Sequence, residues 1–312
     1  MRTTQNHQPI LDYMGLSVLI ATKNHPVDVL LSALDRQAEA LSIHLEVLVG
    51  DDASNQTVLK ESTLETTNSL SVKLIKNPEN LGALITKYQL AEIAEHSRLL
   101  LLDADVQLQD NYLKNYLSFS DQNIDAVSGG VMIPKNLSKE SKELRYYYGI
   151  KRESRPASER SKNKYSNIVS ANLLIDKALF IKAAAPILSN NYGLDIFLGG
   201  QLKRLQTEII HIDNPVIHLG IEENDIYLAK IERGLKHMAW QVIREKKHPH
   251  SRIFYNYQSL KKLKCFRLFL WLFRLSKPML LKQITSSKPN LLLFDIYRLG
   301  LFCSYAARLT KN

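Results

Sequence analysis

The sequence predicts an α/β fold, a mixed and mainly parallel sheet flanked by helices, with a helical tail behind it. Three observations predict it. Short apolar, β-prone runs alternate with segments of helical periodicity over residues 16–105, the pattern of parallel strands joined by helical crossovers. The early runs stop at polar turns rich in Asp, Asn and Thr. Beyond residue 250 the strand pattern gives way to a strongly basic, aliphatic stretch.

In order along the chain, LSVLIAT (16–22) is the first strand, and Val27, Leu30, Leu31, Leu34, Ala38 and Leu41 mark a helix over 27–42. LEVLVG (45–50) is the second strand, closed by the polar turn DDASNQT (51–57). VKLIKN (72–77) is the third, leading through PENLG (78–82) into a helix over 83–96, and RLLLLDAD supplies the fourth. Residues 111–119 read as helix, 125–133 (DAVSGGVMI) as strand, and 145–167 as a charged loop with aromatic residues at both ends. A strand over 168–175, a short helix over 176–185, the segment 191–205 and two short strands within 208–220 follow. A helix over about 222–246 leads into the tail. In open parallel sheets ligands bind beyond the carboxyl ends of the strands. Thr22, Asp51–Asp52 and Asp103–Asp105 all fall at such ends.

With 312 residues and 45% hydrophobic content the chain can bury a substantial core, as one large domain or two smaller ones. The expected division is a domain over 1–250 and a tail over 251–312. The net charge of +10 sits in that tail: residues 251–312 hold twelve Lys and Arg against Asp295 alone, and the other 250 residues balance to −1. A nearly neutral body argues against a nucleic-acid-binding core, which would carry a basic footprint. Cys265 and Cys303 cannot form a disulfide framework and lack metal-like spacing, which suits a reducing, cytoplasmic compartment. The N-terminus MRTTQNHQPILDYMG has no apolar core of signal-peptide length, and nowhere do about 18 apolar residues run together as a spanning helix requires.

The run LLLLDAD (99–105) puts two carboxylates one residue apart at a strand end. Alone, the triplet is either a clamp for a divalent cation or a solvated turn. The ordered set LSVLIATKN, VLVGDDAS, NPENLGALITKYQLAEIA, LLLLDAD, NIVSANLLIDKALF, YGLDIFLGGQLKRL and PVIHLG, spread over residues 16–220, resembles family 2 glycosyltransferases. That resemblance implies the GT-A fold, with a nucleotide-binding half over about 16–106 and an acceptor half over about 107–220. It also implies an inverting, metal-dependent transfer of sugar from a nucleotide diphosphate, most commonly a UDP-sugar. The implied acceptor is a hydroxyl of a glycan or lipid-linked glycan in surface-polysaccharide synthesis.

By the same resemblance, Asp52 hydrogen-bonds the base, with Asp51 beside it and Ala21 and Thr22 shaping the other wall. The competing reading of Asp51–Asp52 is an Asx-type turn. Gly82 either allows close backbone approach or ends a turn. Lys87 stands where the family usually has Arg, facing base or phosphate, although Lys lacks Arg's bidentate fork; otherwise it is a solvated helix charge. Asp105 resembles the direct ligand of Mg²⁺ or Mn²⁺, ions suited to hard oxygen donors. Asp103 resembles the contact to ribose or a metal-bound water. His218 resembles a residue of the metal shell or diphosphate site, or is a satisfied core histidine. Asp195 stands at the position of the catalytic base, or caps its helix, and Leu194 replaces the glutamate that usually precedes it.

Segment 145–166 reads as a solvated loop or as a lid over the cleft. In the lid reading Arg145 and Arg152 meet anionic donor or acceptor groups and Glu153 serves the acceptor, while Asn172 lies on a strand leading to the acceptor side. In the tail, Leu263, Phe266, Leu270 and Phe273 share one face beside Trp271 and basic residues. That pattern fits an interfacial helix on an anionic membrane surface, which makes the protein peripheral on the inner face of the cell membrane. It also fits helices packed on the catalytic domain or on a second subunit, so an oligomer is possible. Two rival functions remain. A nucleotidyltransferase needs a glycine- and basic-rich phosphate loop that LIATKNHP does not provide, and a non-catalytic sugar-nucleotide-binding paralogue is suggested by Leu194 and Lys87.

Overall fold

The computed structural model describes residues 15–60, 67–119, 124–137, 140–189 and 193–310. The first elements are β1 (Leu16–Thr22), α1 (Asp28–Leu41), β2 (Leu45–Asp51), β3 (Leu70–Lys76), α2 (Ala83–Ile93) and β4 (Arg98–Asp103). Next come β5 (Val106–Gln107), α3 (Tyr112–Leu117), β6 (Ala126–Ser128), β7 (Val131–Met132), α4 (Glu143–Tyr148), α5 (Ala157–Arg160), β8 (Asn172–Asp176) and α6 (Lys177–Ala184). The chain continues through α7 (Asp195–Arg204), β9 (Ile209–His211), β10 (Val216–His218), α8 (Asn224–Ile243), α9 (Arg252–Lys262), α10 (Phe266–Ile284) and α11 (Leu291–Leu309).

The main sheet runs β3-β2-β1-β4-β8-β6-β9. Its pairings are parallel except the two that β8 makes with β4 and β6, so the sheet is mixed and mainly parallel, as the sequence predicts. A second sheet has the order β5-β10-β7. The leucine run of β4 follows from burial on both faces. Leu99 and Leu101 pack with Leu19, Leu48, Leu173 and Ile175, whereas Leu100 and Leu102 pack with Val18, Ile20, Val47 and Val49. Successive strand side chains point to opposite faces, and a strand covered by helices on both sides reads as a continuous apolar run. Truncating Leu100 or Leu101 to Ala costs about 2–5 kcal/mol.

Two expectations are corrected. DAVSGGVMI is two strands in two sheets, parted by Gly129-Gly130. Gly130 has φ +81°, and a Cβ there would lie 2.7 Å from the Arg160 guanidinium, so neither the conformation nor the space admits a side chain. Segment 145–166 is not a loop: α4, a π-helical turn over Gly149–Glu153, α5 and a 3-10 stretch over Ser161–Asn167 cover it. Its charges mislead because several are buried and paired, Arg145 and Arg160 among them.

In the tail the helices pack on the domain, one of the arrangements expected of them. α11 packs along α8 and against α10, and its Phe294, Tyr297, Leu301 and Phe302 join the same core as Leu99 and Leu101. Asn290 caps α11 by accepting from the N–H groups of Leu292 and Leu293. At Gly300 a Cβ would stand 2.1 Å from the Phe273 ring, so glycine lets α10 and α11 approach closely. The face read as lipid-facing is divided: Leu270 and Phe273 are core residues, while Leu263 is exposed. Among the described residues no helix is long and apolar enough to cross a membrane.

Candidate active site

The register of the main sheet sets Ala21 beside both Gly50 and Asp103, and Thr22 beside Asp51. Three turns distant in sequence therefore meet at one sheet edge. Thr22 and Asp51 spend their side chains locally. Thr22 Oγ1 donates to the His25 carbonyl at 2.6 Å, and Asp51 Oδ1 accepts from Ser54 N–H at 2.9 Å, making the Asx turn. Asp52 reaches further. Its Oδ1 accepts from Leu81 N–H (2.7 Å) and Asn77 Nδ2 (3.2 Å), and its Oδ2 from Gly82 N–H (2.8 Å). Gly82, at φ 87°, takes a conformation open to glycine. The loop 78–82 is thus clasped to the end of β2 by one buried carboxylate.

Lys87 is not a solvated helix charge. It is fully buried, and its Nζ donates to Asp103 Oδ1 at 2.5 Å and to the Ser170 carbonyl at 2.8 Å. Burial works against ionisation of Asp103, but the charge and hydrogen bond of Lys87 outweigh it and hold the carboxyl below the usual range. The peptide on the other side of Lys87 leads to Asp195. Ser170 N–H donates to Asp195 Oδ1 at 3.2 Å, and the Ser170 side chain bonds the same carboxylate. Burial raises the Asp195 pKa; the Ser170 bonds and Lys87 oppose this, the negative charge of Asp103 adds to it, and the net shift is upward. Asp195 does not cap α7: it is the first helical residue, and no side chain caps that end. Leu194 is buried in the apolar core.

Asp105 lies just beyond β4, part-exposed, with His218 Nε2 3.4 Å from its Oδ2. The strand pairing fixes this meeting: His218 pairs with Val106, and Leu219 N–H donates to the Asp105 carbonyl at 3.1 Å. Gly220 completes the turn, because a Cβ there would stand 2.9 Å from Asp105 Oδ2. His218 is not a satisfied core histidine, since its buried Nδ1 has no partner among the described residues. A divalent cation fits these residues as a two-ligand site of one carboxylate and one imidazole. Among the described residues no group of three or more His, Cys, Asp or Glu could hold a metal by itself. Such a site suits an ion that takes its other ligands from phosphate oxygens and water, as Mg²⁺ usually does.

Four expected residues take other positions. Asn172 pairs with Leu102 beneath the site, fully buried, with Oδ1 accepting from the Tyr112 and Tyr116 hydroxyls and Nδ2 donating to the Gly130 and Asn214 carbonyls. No hydrogen-bonding capacity of its amide is left for an acceptor. Arg145 pairs with Glu153 (2.7 Å) and Glu222 (3.6 Å), and Arg152 pairs with Asp295 of α11 (3.1 Å). These ties hold the segment to its neighbours. Sequence reading missed Ser170 and Gly220. Both lie inside matched motifs (SAN, VIHLG), but one acts largely through its peptide and the other through a missing Cβ, which residue type does not advertise.

The sequence model of glycosyl transferase family 2 matches residues 17–180. No curated protein matches the chain. Among solved structures, that of S. aureus TarS 1-349 in complex with UDP superposes with a TM-score of 0.50 at 14% identity, covering 96% of this chain and 92% of that one. Glucosyl-3-phosphoglycerate synthase from Mycobacterium tuberculosis, in complex with Mn²⁺, UDP and glucosyl-3-phosphoglycerate, gives 0.48 at 12% identity, covering 73% and 79%. At 14% identity the likeness to TarS is one of fold.

Proposed function

The chain belongs to glycosyl transferase family 2 and is a glycosyltransferase, and from that premise we propose a metal-dependent, inverting transfer of sugar from a UDP-sugar to a hydroxyl. The observation that carries the mechanism is the linkage Asp103–Lys87–Ser170–Asp195, which joins a donor-side carboxylate to a base-side carboxylate through one buried ammonium.

In a single displacement the acceptor oxygen bonds the anomeric carbon while the bond from that carbon to the diphosphate oxygen breaks on the opposite face. The hydroxyl proton passes to Asp195. The raised pKa of Asp195 moves it towards the proton affinity a general base needs. Asp105 and His218 would hold Mg²⁺ or Mn²⁺, which would neutralise charge on the leaving diphosphate. Asp103, fixed by Lys87, would contact the ribose or a water on that ion. Asp52 holds the 81–82 loop as one wall of the base pocket, with Ala21 behind it. The acceptor is a glycan or lipid-linked glycan of surface-polysaccharide type, met at the inner face of the cell membrane, where the basic C-terminal helices rest on anionic lipid.

The test is turnover of a panel of nucleotide sugars with and without Mn²⁺, comparing wild type with Asp195→Asn and Asp105→Ala. Metal-dependent turnover that both variants lose supports the mechanism. Donor binding by wild type with no turnover on any donor and acceptor refutes it and leaves a binding paralogue.

A further inference from the structure

α10 has two apolar faces, and the fold uses only one. Leu270, Phe273, Leu280 and Ile284 turn into the core. On the opposite side Leu268, Trp271, Leu272, Leu275 and Met279 are between 50% and 66% exposed. They recur at steps of three and four residues, so they form one continuous stripe along the helix. A stripe of large aliphatic side chains and a tryptophan is not the scattered exposure of an ordinary surface.

We propose that this outer stripe of α10 is the surface by which the enzyme lies on an anionic lipid bilayer. The inference rests on the membrane reading above and names the face that meets lipid, which is the reverse of the Leu270–Phe273 face. Charge decides the occupant. Arg267, four residues before Trp271, and Lys282, three after Met279, lie exposed beside the stripe, and no Asp or Glu occurs anywhere between Glu245 and Asp295. A second copy of the chain is disfavoured, because a two-fold interface sets the same patch against itself and would bring these cations face to face. An anionic surface gains from every one of them. Trp271 sits mid-stripe, where an amphipathic ring anchors at the headgroup level, and the helix lies in the interface because it cannot cross.

The experiment is co-sedimentation of the full chain with phosphatidylcholine vesicles and with vesicles that also contain phosphatidylglycerol. Wild type is expected to bind the anionic vesicles and not the neutral ones. Trp271→Glu/Leu275→Glu should abolish that binding with the melting temperature and soluble-donor hydrolysis unchanged, because both side chains point to solvent. Arg267→Gln/Lys282→Gln should weaken it about 30-fold, since each basic residue near the surface is worth roughly fivefold. Wild-type binding that survives both double variants overturns the assignment of the face while leaving membrane association standing. Absence of wild-type binding overturns both, and the donor-turnover assay judges the transfer reaction separately. A wild-type dimer that Trp271→Glu/Leu275→Glu converts to monomer, without vesicle binding, assigns the stripe to self-association and also overturns the proposal.

Discussion

Lys87→Met removes the one buried cation that touches both sides of the site. Breaking a buried ion pair from one side costs about 3–5 kcal/mol because the other charge is left uncompensated. Asp103 is the remaining partner, and its side chain is 34% exposed, so water recovers part of that loss and about 2–3 kcal/mol is expected. The Ser170 carbonyl also loses its donor, adding about 1 kcal/mol. At roughly 2–4 °C per kcal/mol for a domain of this size, melting should fall by about 6–16 °C in calorimetry. Lys87→Met/Asp103→Asn should recover part of the deficit, since the orphaned charge goes with its partner. The pH dependence carries a second signature. A depressed Asp103 pKa contributes stability that is present above the unfolded carboxylate value of about 3.9 and lost as pH falls through the folded value. Lys87→Met should flatten that acid slope. Melting of Lys87→Met within about 1 °C of wild type, or strictly additive effects of the two substitutions, would refute the coupling.

Asp195→Asn should lower kcat by about 10²–10⁴ with donor affinity unchanged in calorimetric titration. Because the folded pKa of Asp195 is raised, its stabilising contribution is complete below the unfolded value and lost as pH rises through the folded one; Asp195→Asn should therefore melt higher than wild type at neutral pH, with the gap closing in acid. Asp105→Ala should abolish the thermal shift given by Mn²⁺ with UDP, whereas Asp103→Ala should only reduce it, and Gly220→Ala should raise the Mn²⁺ concentration needed for half-maximal shift by crowding Asp105 Oδ2. His211 is buried with its Nδ1 against Arg160 and its Nε2 on the Lys164 carbonyl, and burial first, then the Arg160 and Lys164 charges, outweigh that carbonyl bond to push its pKa down to about 4. Wild type should lose stability as pH falls from about 6.5 towards 4, and His211→Gln should lose less over that window in pH-dependent melts.

The strand ends were legible because parallel strands buried on both faces write themselves as apolar runs, and each run here stops at a side chain of the site. The same logic fails where polarity is internal. The segment 145–166 reads as solvated because its arginines are counted as surface charge, yet Arg160 donates to the carbonyls of Ser128, Gly129, Arg155 and Ile212 inside the protein. Lys87 misleads in the same way, since nothing local distinguishes a helix lysine facing water from one facing a carboxylate sixteen residues on. Asn172 looks like a reader of ligand because its four partners come from α3, the Gly129–Gly130 turn and Asn214, none of them near it in sequence. In α10 periodicity located the helix but not its inner side, because both faces are apolar.

The burial of α11 against α8 also sets a schedule for making the protein. Tyr227, Ile231, Leu235 and Met238 of α8 are covered in the finished fold, and α11 ends some 66 residues after α8 does. At about 5–20 residues per second a ribosome needs roughly 3–13 s to cover that distance. For that interval the nascent catalytic domain carries an open apolar flank, and the outer stripe of α10 emerges before the helix that anchors α10 to the core. The yield of active enzyme is therefore tied to translation speed and to chaperones that shield the flank in the meantime.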